Sequence, residues 1–361
     1  MKALVLAGGF ATRMRPLSCS RPKILFPIVN KPLLQWTFER LAKSGISEVV
    51  LAVNLQTEFS IRNCRLPRSG LRLKFSRDPS GTPLGTGGPI KKAERLVGQD
   101  SPFLVLNGDI FADVDYASIA KEHAKKGGVA TIALHKVDDP MRYGVVDLHS
   151  DCSVKRFVEK PSRGSAPSNL INAGVYVFSP EIFNYLPEGP AFSLERDVFP
   201  VLAKQRLLFG CVFDGLWTDI GKPADYLELN IKLLNSLGID SQSAWNEAHI
   251  RHPVAFDKGV SVGRGSTVGP CAVLGQSVIV GENVHIRNSV IFPAASIGDR
   301  TFLEEAIIGE GAVVGCDVKI GKGCVIGDHA RICDNVTLAQ NVTVCPASEA
   351  SKSVLTQQRV C

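Results

Sequence analysis

The sequence predicts an α/β domain over residues 1–238 followed by a parallel β-helix over residues 251–345. Three observations carry this. Apolar strand-like runs alternate with helix-like segments across the first part of the chain. An apolar residue then recurs every six residues from Val262 onward. Between the two patterns lies the polar stretch from Ser241 to His249, placed in a linker at 239–250. The tail, 346–361, is rich in Ser, Gln and Lys and is expected to be a loose terminus.

The elements follow in order. Lys2 to Leu6 is a short apolar run that stops at Gly8-Gly9. Leu33 to Ser44 has helical spacing through Leu34, Phe38 and Leu41, and it ends near Gly45. Glu48 to Val53 and Phe103 to Leu106 are further apolar runs, as expected for strands buried on both faces. A helix is expected from Ile90 to Val97. Lys222 to Gly238 reads as a closing helix, with Pro223 in its first turn and Gly238 at its end.

The six-residue beat falls on Val262, Val268, Leu274, Val280 and Ile286. After an irregular middle it resumes at Ile308, Val314, Ile320, Ile326, Ile332, Leu338 and Val344. Neither a helix nor an ordinary strand has this period. Short strands meeting at corners do, with one apolar residue pointing inward per strand. Small residues four positions after the beat, at Ala312, Cys324 and Ala330, suggest a second inward position. The pattern resembles the hexapeptide repeats of left-handed β-helices, and roughly five coils are expected at three strands each.

Composition excludes some functions. The formal charge of +6 is modest for 361 residues, and Lys and Arg are scattered, so neither nucleic acid nor a membrane is an expected partner. No apolar stretch reaches the roughly 18 residues of a membrane span, and the N-terminus lacks the parts of a signal peptide, so a cytoplasmic location is expected. The 10 cysteines form no C-x-x-C pair and are expected to be reduced thiols packed as small hydrophobes.

The candidate chemistry begins at Leu6-Ala7-Gly8-Gly9-Phe10-Ala11-Thr12-Arg13-Met14-Arg15-Pro16. Adjacent glycines allow a sharp turn that brings backbone N–H groups to a phosphate. Arg13 and Arg15 add charge, and Lys23 follows between Pro22 and Pro27. Phosphoryl chemistry needs chiefly positioning and charge stabilisation, which these residue types supply.

Gly-Gly-x-x-Thr-Arg-x-Arg-Pro-Leu followed by Pro-Lys resembles the signature of nucleoside-diphosphate-sugar pyrophosphorylases, and within them the mannose-1-phosphate guanylyltransferases. The resemblance runs across nearly the whole chain. It implies a Rossmann-like, GT-A-like nucleotidyltransferase domain ahead of the left-handed β-helix. It departs at Ala11, where Gly is usual, at Ile24, where a second Pro usually follows the Lys, and at Asp78 to Thr82, where an acidic run is common.

By this resemblance Arg13 and Lys23 are catalytic, and Leu6, Ala7, Gly8, Gly9, Thr12, Arg13, Pro83, Gly85, Thr86 and Gly108 bind the nucleotide. The base would lie against the loop Pro83-Leu84-Gly85-Thr86-Gly87-Gly88. Asp109, after the strand at 103, and Asp219 match the metal-binding aspartates. One or two carboxylates with phosphate oxygens suit Mg²⁺, which keeps several waters. Gly144, Glu159, Lys160, Asn172, Gly174 and Glu195 match the sugar phosphate side. Lys160 would hold the attacking phosphate as a point charge. Glu195 is equally well explained by a helix-capping role.

The implied reaction joins a sugar 1-phosphate to a nucleoside triphosphate, with GTP and mannose 1-phosphate favoured and thymidylyl or uridylyl transfer to glucose 1-phosphate as the alternative. A β-helix acetyltransferase would need a histidine base, but His285 and His329 lie in no recognisable loop insertion. A non-catalytic regulatory subunit would be free to lose Arg13, Lys23, Asp109, Lys160 and Asp219. A homo-oligomer assembled through the β-helix is expected.

Overall fold

The computed structural model describes residues 1–67, 69–79, 83–98, 100–187, 189, 191–238 and 247–361. The chain divides into two compact units. Met1–Gly9 with Leu34–Asp219 form the first, and Phe10–Leu33 with Ile220–Cys361 form the second. This differs from a cut at residue 238. The segment that follows the glycine turn, and the closing helix, pack with the β-helix.

The first unit is built on a nine-stranded mixed sheet. Ala3–Leu6 lies between Glu48–Val53 and Phe103–Asn107, all parallel, with Arg72–Arg77 beyond Glu48–Val53. Every residue of Glu48–Val53 is buried, as the apolar run from Val49 to Val53 requires, and Glu48 pairs with Lys2 and Lys74. On the other side Leu170–Phe178 runs antiparallel to Phe103–Asn107 and to Ala130–Lys136. Gly144–Leu148 and Val154–Glu159 extend this antiparallel wing, and Leu208–Val212 pairs parallel with Ala130–Lys136. A separate two-stranded ladder joins Ile110–Ala112 to Trp217–Asp219.

Helix α1 is Leu33–Lys43 and stops ahead of Gly45, as its spacing predicts. Helix α2 is Leu55–Asn63, and its cap Asn54 accepts from the Thr57 N–H. The helix expected at 90–97 is two short pieces, α3 (Gly88–Lys92) and α4 (Glu94–Val97), which meet at Ala93. Helix α5 is Tyr116–Lys126 and α6 is Phe199–Lys204. Leu4, Val50, Ile90, Phe103, Tyr176 and Phe199 belong to one buried core.

In the second unit α7 spans Pro223–Leu237, where the Asp225 carboxylate accepts from the Lys222 N–H. Three parallel sheets of six, seven and six strands then stack into the three-sided β-helix. The beat residues Val268, Leu274, Val280 and Ile286 are buried in its core, as are Ile308, Val314, Ile320, Ile326, Ile332, Leu338 and Val344. Val262 packs against that core. Ala312, Cys324 and Ala330 are fully buried, which fits the second inward position.

The irregular middle is a change of coil length. Val262 pairs with Val280, and Val268 with Ile286, each 18 residues on. Leu274 pairs with Ile291, Val280 with Ile297, and Ile286 with Leu303, each 17 residues on. Two corners each lose one residue, at Ile286 to Ile291 and at Leu303 to Ile308. The beat shifts there and does not stop.

Three sequence expectations are corrected. Of the expected linker, 239–246 lie outside the described residues, and His249–Ile250 is already a β-helix strand. The tail is no loose terminus. Arg359–Val360 pairs with Thr343–Val344, Val354 bridges to Leu338, and Ala350, Val354 and Val360 continue the inward row. Ala350 is small and Val354 arrives two residues early, so the beat is faint in the sequence, and the helix has more coils than the five expected. Finally, the cysteines are not all thiols, because Cys345 and Cys361 form a disulfide. Among the described residues no helix is long and apolar enough to cross a membrane.

Candidate functional site

In the first unit the turn at Gly8 leaves the strand Ala3–Leu6 at its C-terminal end, where ligands of open α/β sheets bind. The Ala7 N–H donates to Ala52 (2.7 Å), and the Gly108 N–H donates to Leu6 (2.8 Å), so the turn is tied to both neighbouring strands. The Asn54 Nδ2 donates to the Gly8 carbonyl at 3.0 Å. Asn54 therefore caps α2 and holds the turn. Sequence reasoning missed it, although an Asn after an apolar run is a cap signal.

Asp78 was also missed as a site residue. Its N–H donates to Val53 (2.8 Å), which sets the residue beside the turn. A Cβ on Gly8 would collide with Asp78 Oδ2, so only glycine permits this approach. Asp78 Oδ1 is buried and has no hydrogen-bond partner among the described residues. Burial pushes the Asp78 carboxyl up from the usual carboxylate range, against the pull of Lys92.

The loop carrying Pro83, Gly85 and Thr86 closes on Phe192. The Gly87 N–H donates to the Phe192 carbonyl (3.1 Å), and the Phe192 N–H donates to Leu84 (3.2 Å). Gly85 has φ +67°, and a Cβ there would sit 2.9 Å from the Phe192 carbonyl carbon and closer still to its oxygen. The Thr86 hydroxyl donates to Glu195 Oε2 (2.6 Å), as does Ser193 (2.7 Å). The structure thus joins Thr86 and Glu195, two residues expected on opposite substrates. Ser193 provides the cap at this point, accepting from the Arg196 N–H.

Asp109 and Asp219 are neighbours across the short ladder. Asp219 pairs with Ile110, the residue after Asp109, and both aspartates are half-buried. Among the described residues no group of three or more His, Cys, Asp and Glu gathers as a metal site. Two carboxylates with water and phosphate oxygens are the donor set a hard divalent cation takes, so these residues fit one.

Of the remaining residues, Asn172 meets the Tyr176 hydroxyl, and Gly144 and Lys160 adjoin Glu159. Asn172 Nδ2 donates to that hydroxyl (3.0 Å), and Asn172 Oδ1 accepts from the Gly174 N–H (3.0 Å). Burial first, and then the nearby Glu195 carboxylate, push the Tyr176 hydroxyl well above its ordinary range, while Asn172 and Asn107 oppose this. Gly144 pairs with Glu159, whose carboxylate lies over it. Lys160 pairs with Glu159 at 3.4 Å and exposes most of its side chain. The Lys160 N–H donates to Tyr143 (3.0 Å), whose ring meets Trp217 edge-on at 5.1 Å. Trp217 donates to the Ala173 carbonyl at 3.0 Å. Polar groups set among apolar and aromatic ones in this way can orient a hydroxyl-bearing ligand.

In the second unit, Thr12–Met14 forms one short helical turn, and Arg13 is exposed with no hydrogen-bond or ionic partner among the described residues. Ala11 adopts the left-handed region at φ 47°, where glycine is usual. The Lys23 ammonium donates to the carbonyl of Ile220 at 2.9 Å, next in sequence to Asp219.

Known proteins resemble this chain over most of its length. The nucleotidyl transferase family model matches residues 2–236, and the GMPPB C-terminal domain model matches residues 250–360. The mannose-1-phosphate guanyltransferase of Eremothecium gossypii is 37% identical over 267 residues, 73% of this chain and 70% of that protein. The mannose-1-phosphate guanylyltransferase catalytic subunit beta of Danio rerio is 41% identical over 229 residues, so the match spans 63% of this chain and 63% of that relative's length. Among solved structures, HddC from Yersinia pseudotuberculosis is 29% identical with a TM-score of 0.54, covering 64% of this chain and 99% of that one. With strand, turn and paired aspartates where the family model runs, this chain belongs to the nucleotidyl transferase family.

Proposed function

We propose that this chain transfers the guanylyl group of GTP to mannose 1-phosphate, giving GDP-mannose and pyrophosphate, with Mg²⁺ at Asp109 and Asp219. The relatives' names support the pair of substrates. The observation that supports the base is the Asp78 oxygen beside Gly8, buried and without a hydrogen-bond partner among the described residues. Guanine presents two adjacent N–H donors on one edge, which a carboxylate accepts as a pair. Uracil and thymine present one N–H between two carbonyls, which a carboxylate repels.

The reaction is a single in-line displacement. A phosphate oxygen of the sugar 1-phosphate forms a bond to the α-phosphorus of the triphosphate. The bond from that phosphorus to the bridging oxygen breaks, and the electron pair leaves on pyrophosphate. The nucleophile is already anionic, so no protein base is needed. The metal, when bound, supplies charge neutralisation at the phosphate oxygens. Arg13 and Lys23 offset the charge that builds on the leaving group. Lys160 binds the attacking phosphate, and Glu159 and Asn172 take sugar hydroxyls. Approximation of this kind is worth roughly 7–11 kcal/mol of the barrier.

The test is a matrix of four nucleoside triphosphates against mannose and glucose 1-phosphates, read by pyrophosphate release, with wild type and Asp78→Asn. Wild type is expected to prefer GTP with mannose 1-phosphate, and Asp78→Asn to lose that base preference. Preference for UTP or dTTP would overturn the reading of the base. No pyrophosphate with any pair would overturn the reaction. A cytosolic homo-oligomer goes with this proposal, and gel filtration with light scattering would reject the assembly by showing a monomer.

A further inference from the structure

The segment Phe10–Leu33 carries Arg13 and Lys23, yet it packs with the β-helix. Its contacts fall on one corner of the solenoid. Leu274, Ile291, Ile308 and Ile326 pair in turn on successive coils of one sheet, and Phe292, Glu310 and Asp328 follow within two residues of that row, where the strands end. Leu274, Phe292, Glu310 and Asp328 each meet this segment. Asn30 Nδ2 donates to the Leu274 carbonyl at 2.9 Å. Phe26 packs edge-on to Phe292 at 6.4 Å and to Tyr226 of α7 at 5.7 Å. The Tyr226 hydroxyl donates to the Pro27 carbonyl, and the Val29 N–H donates to Asn230 (2.8 Å).

The centre of this seam is Arg21. Its guanidinium donates to Glu310 and, at 3.1 Å, to Asp328, and it lies 5.0 Å from the centre of the Phe292 ring. The Asp328 side chain is 3% exposed. It also accepts from the Ser20 hydroxyl and, through its other oxygen, from the Glu310 N–H at 2.8 Å. One buried carboxylate therefore ties two coils to Ser20 and Arg21, two residues before Lys23. Removing Arg21 leaves the buried Asp328 carboxylate without its cation, whereas removing the Asp328 charge leaves Arg21 with Glu310 alone.

We propose that Arg21 is a positioning residue for nucleotidyl transfer: held by Asp328 and Glu310, it fixes the segment that presents Arg13 and Lys23. The β-helix then serves the reaction through its corner residues and not only as a support. This rests on the roles proposed above for Arg13 and Lys23.

The experiment uses the full chain as wild type, R21M, R21K, D328N and the double variant R21M/D328N, with R13A as a control. Steady-state kinetics follow pyrophosphate release from GTP and mannose 1-phosphate, beside thermal melting. R21M and D328N are expected each to lower kcat at least tenfold while KM for GTP changes less than threefold. The double variant should be no slower than the slower single, and R21K should recover part of the loss. If R21M does not fold, D328N and E310Q carry the same comparison. Three results overturn the inference: kcat of R21M within twofold of wild type, a slow R21M beside a normal D328N, or losses that vanish once rates are scaled to the folded fraction. R13A separates the two ideas. An inactive R13A with a normal R21M removes this inference alone, whereas a normal R13A removes the proposed role of the segment and this inference with it.

Discussion

Gly85→Ala offers the sharpest test of the loop at 83–88. Gly85 sits at φ +67°, a region that costs a residue bearing a Cβ about 1 kcal/mol. The new methyl would also lie within van der Waals contact of the Phe192 carbonyl, which is backbone and cannot rotate aside. Relief requires the loop to move off the 192 segment. That breaks the Gly87 to Phe192 bond (3.1 Å) and the Phe192 to Leu84 bond (3.2 Å), each worth about 1 kcal/mol net. The sum is about 3 kcal/mol. At roughly 2–4 °C per kcal/mol for a domain of this size, melting should fall by roughly 6–12 °C. If the loop opens instead, the loss appears at the nucleotide, and about 1.4 kcal/mol of it raises KM for the triphosphate tenfold. Differential scanning fluorimetry and kinetics with varied triphosphate measure both. A variant with wild-type melting and KM within twofold of wild type would refute the reasoning.

Three other outcomes are expected. Arg13→Ala should lower turnover by about 10²–10³, the usual effect of removing one preorganised charge stabiliser, while melting stays within 1–2 °C (about 0.5 kcal/mol), because the side chain is exposed. Ala11→Gly removes about 1 kcal/mol of left-handed strain at φ 47° and adds a similar chain entropy, so melting should hold or rise; a clear drop would contradict this. His123 is buried, contacts Thr131 and Ser179 at 2.9 Å each, and is held below its ordinary range by burial against the pull of Glu181. Its folded pKa lies below its unfolded value of about 6.5, so its contribution is complete above that pH and is lost as pH falls below it. Melting of wild type between pH 7.5 and pH 5.5 (a window about one unit either side of that value) should therefore fall more steeply than melting of His123→Gln, and parallel profiles would count against the assignment.

What could be read from the sequence was what repeats or sits in order. The apolar run that follows Glu48 marked a strand buried on both faces, and the structure buries every residue of Glu48–Val53. The beat from Val262 marked the β-helix because each coil meets the next through the same inward positions. The shortened corners and the weak last coil were hidden, since one missing residue or one alanine breaks a count without breaking the packing. The site residues were visible only as short motifs. Asp78 and Asn54 act through the geometry of the Gly8 turn, which no spacing along the chain announces. Arg21 belonged to no motif read from the sequence, because its partners stand 289 and 307 positions away.

The cross-link between Cys345 and Cys361, 16 residues apart, bears on how the solenoid comes undone. A coil in the middle has a neighbour above and below, but the last has one, so fraying begins at the ends. Here the final coil is closed into a covalent ring. A loop of that size restricts the unravelled chain by an amount worth about 3 kcal/mol in the chain-entropy picture. The missing neighbour is replaced by a bond, and the last turn of the spiral cannot peel away as a free strand.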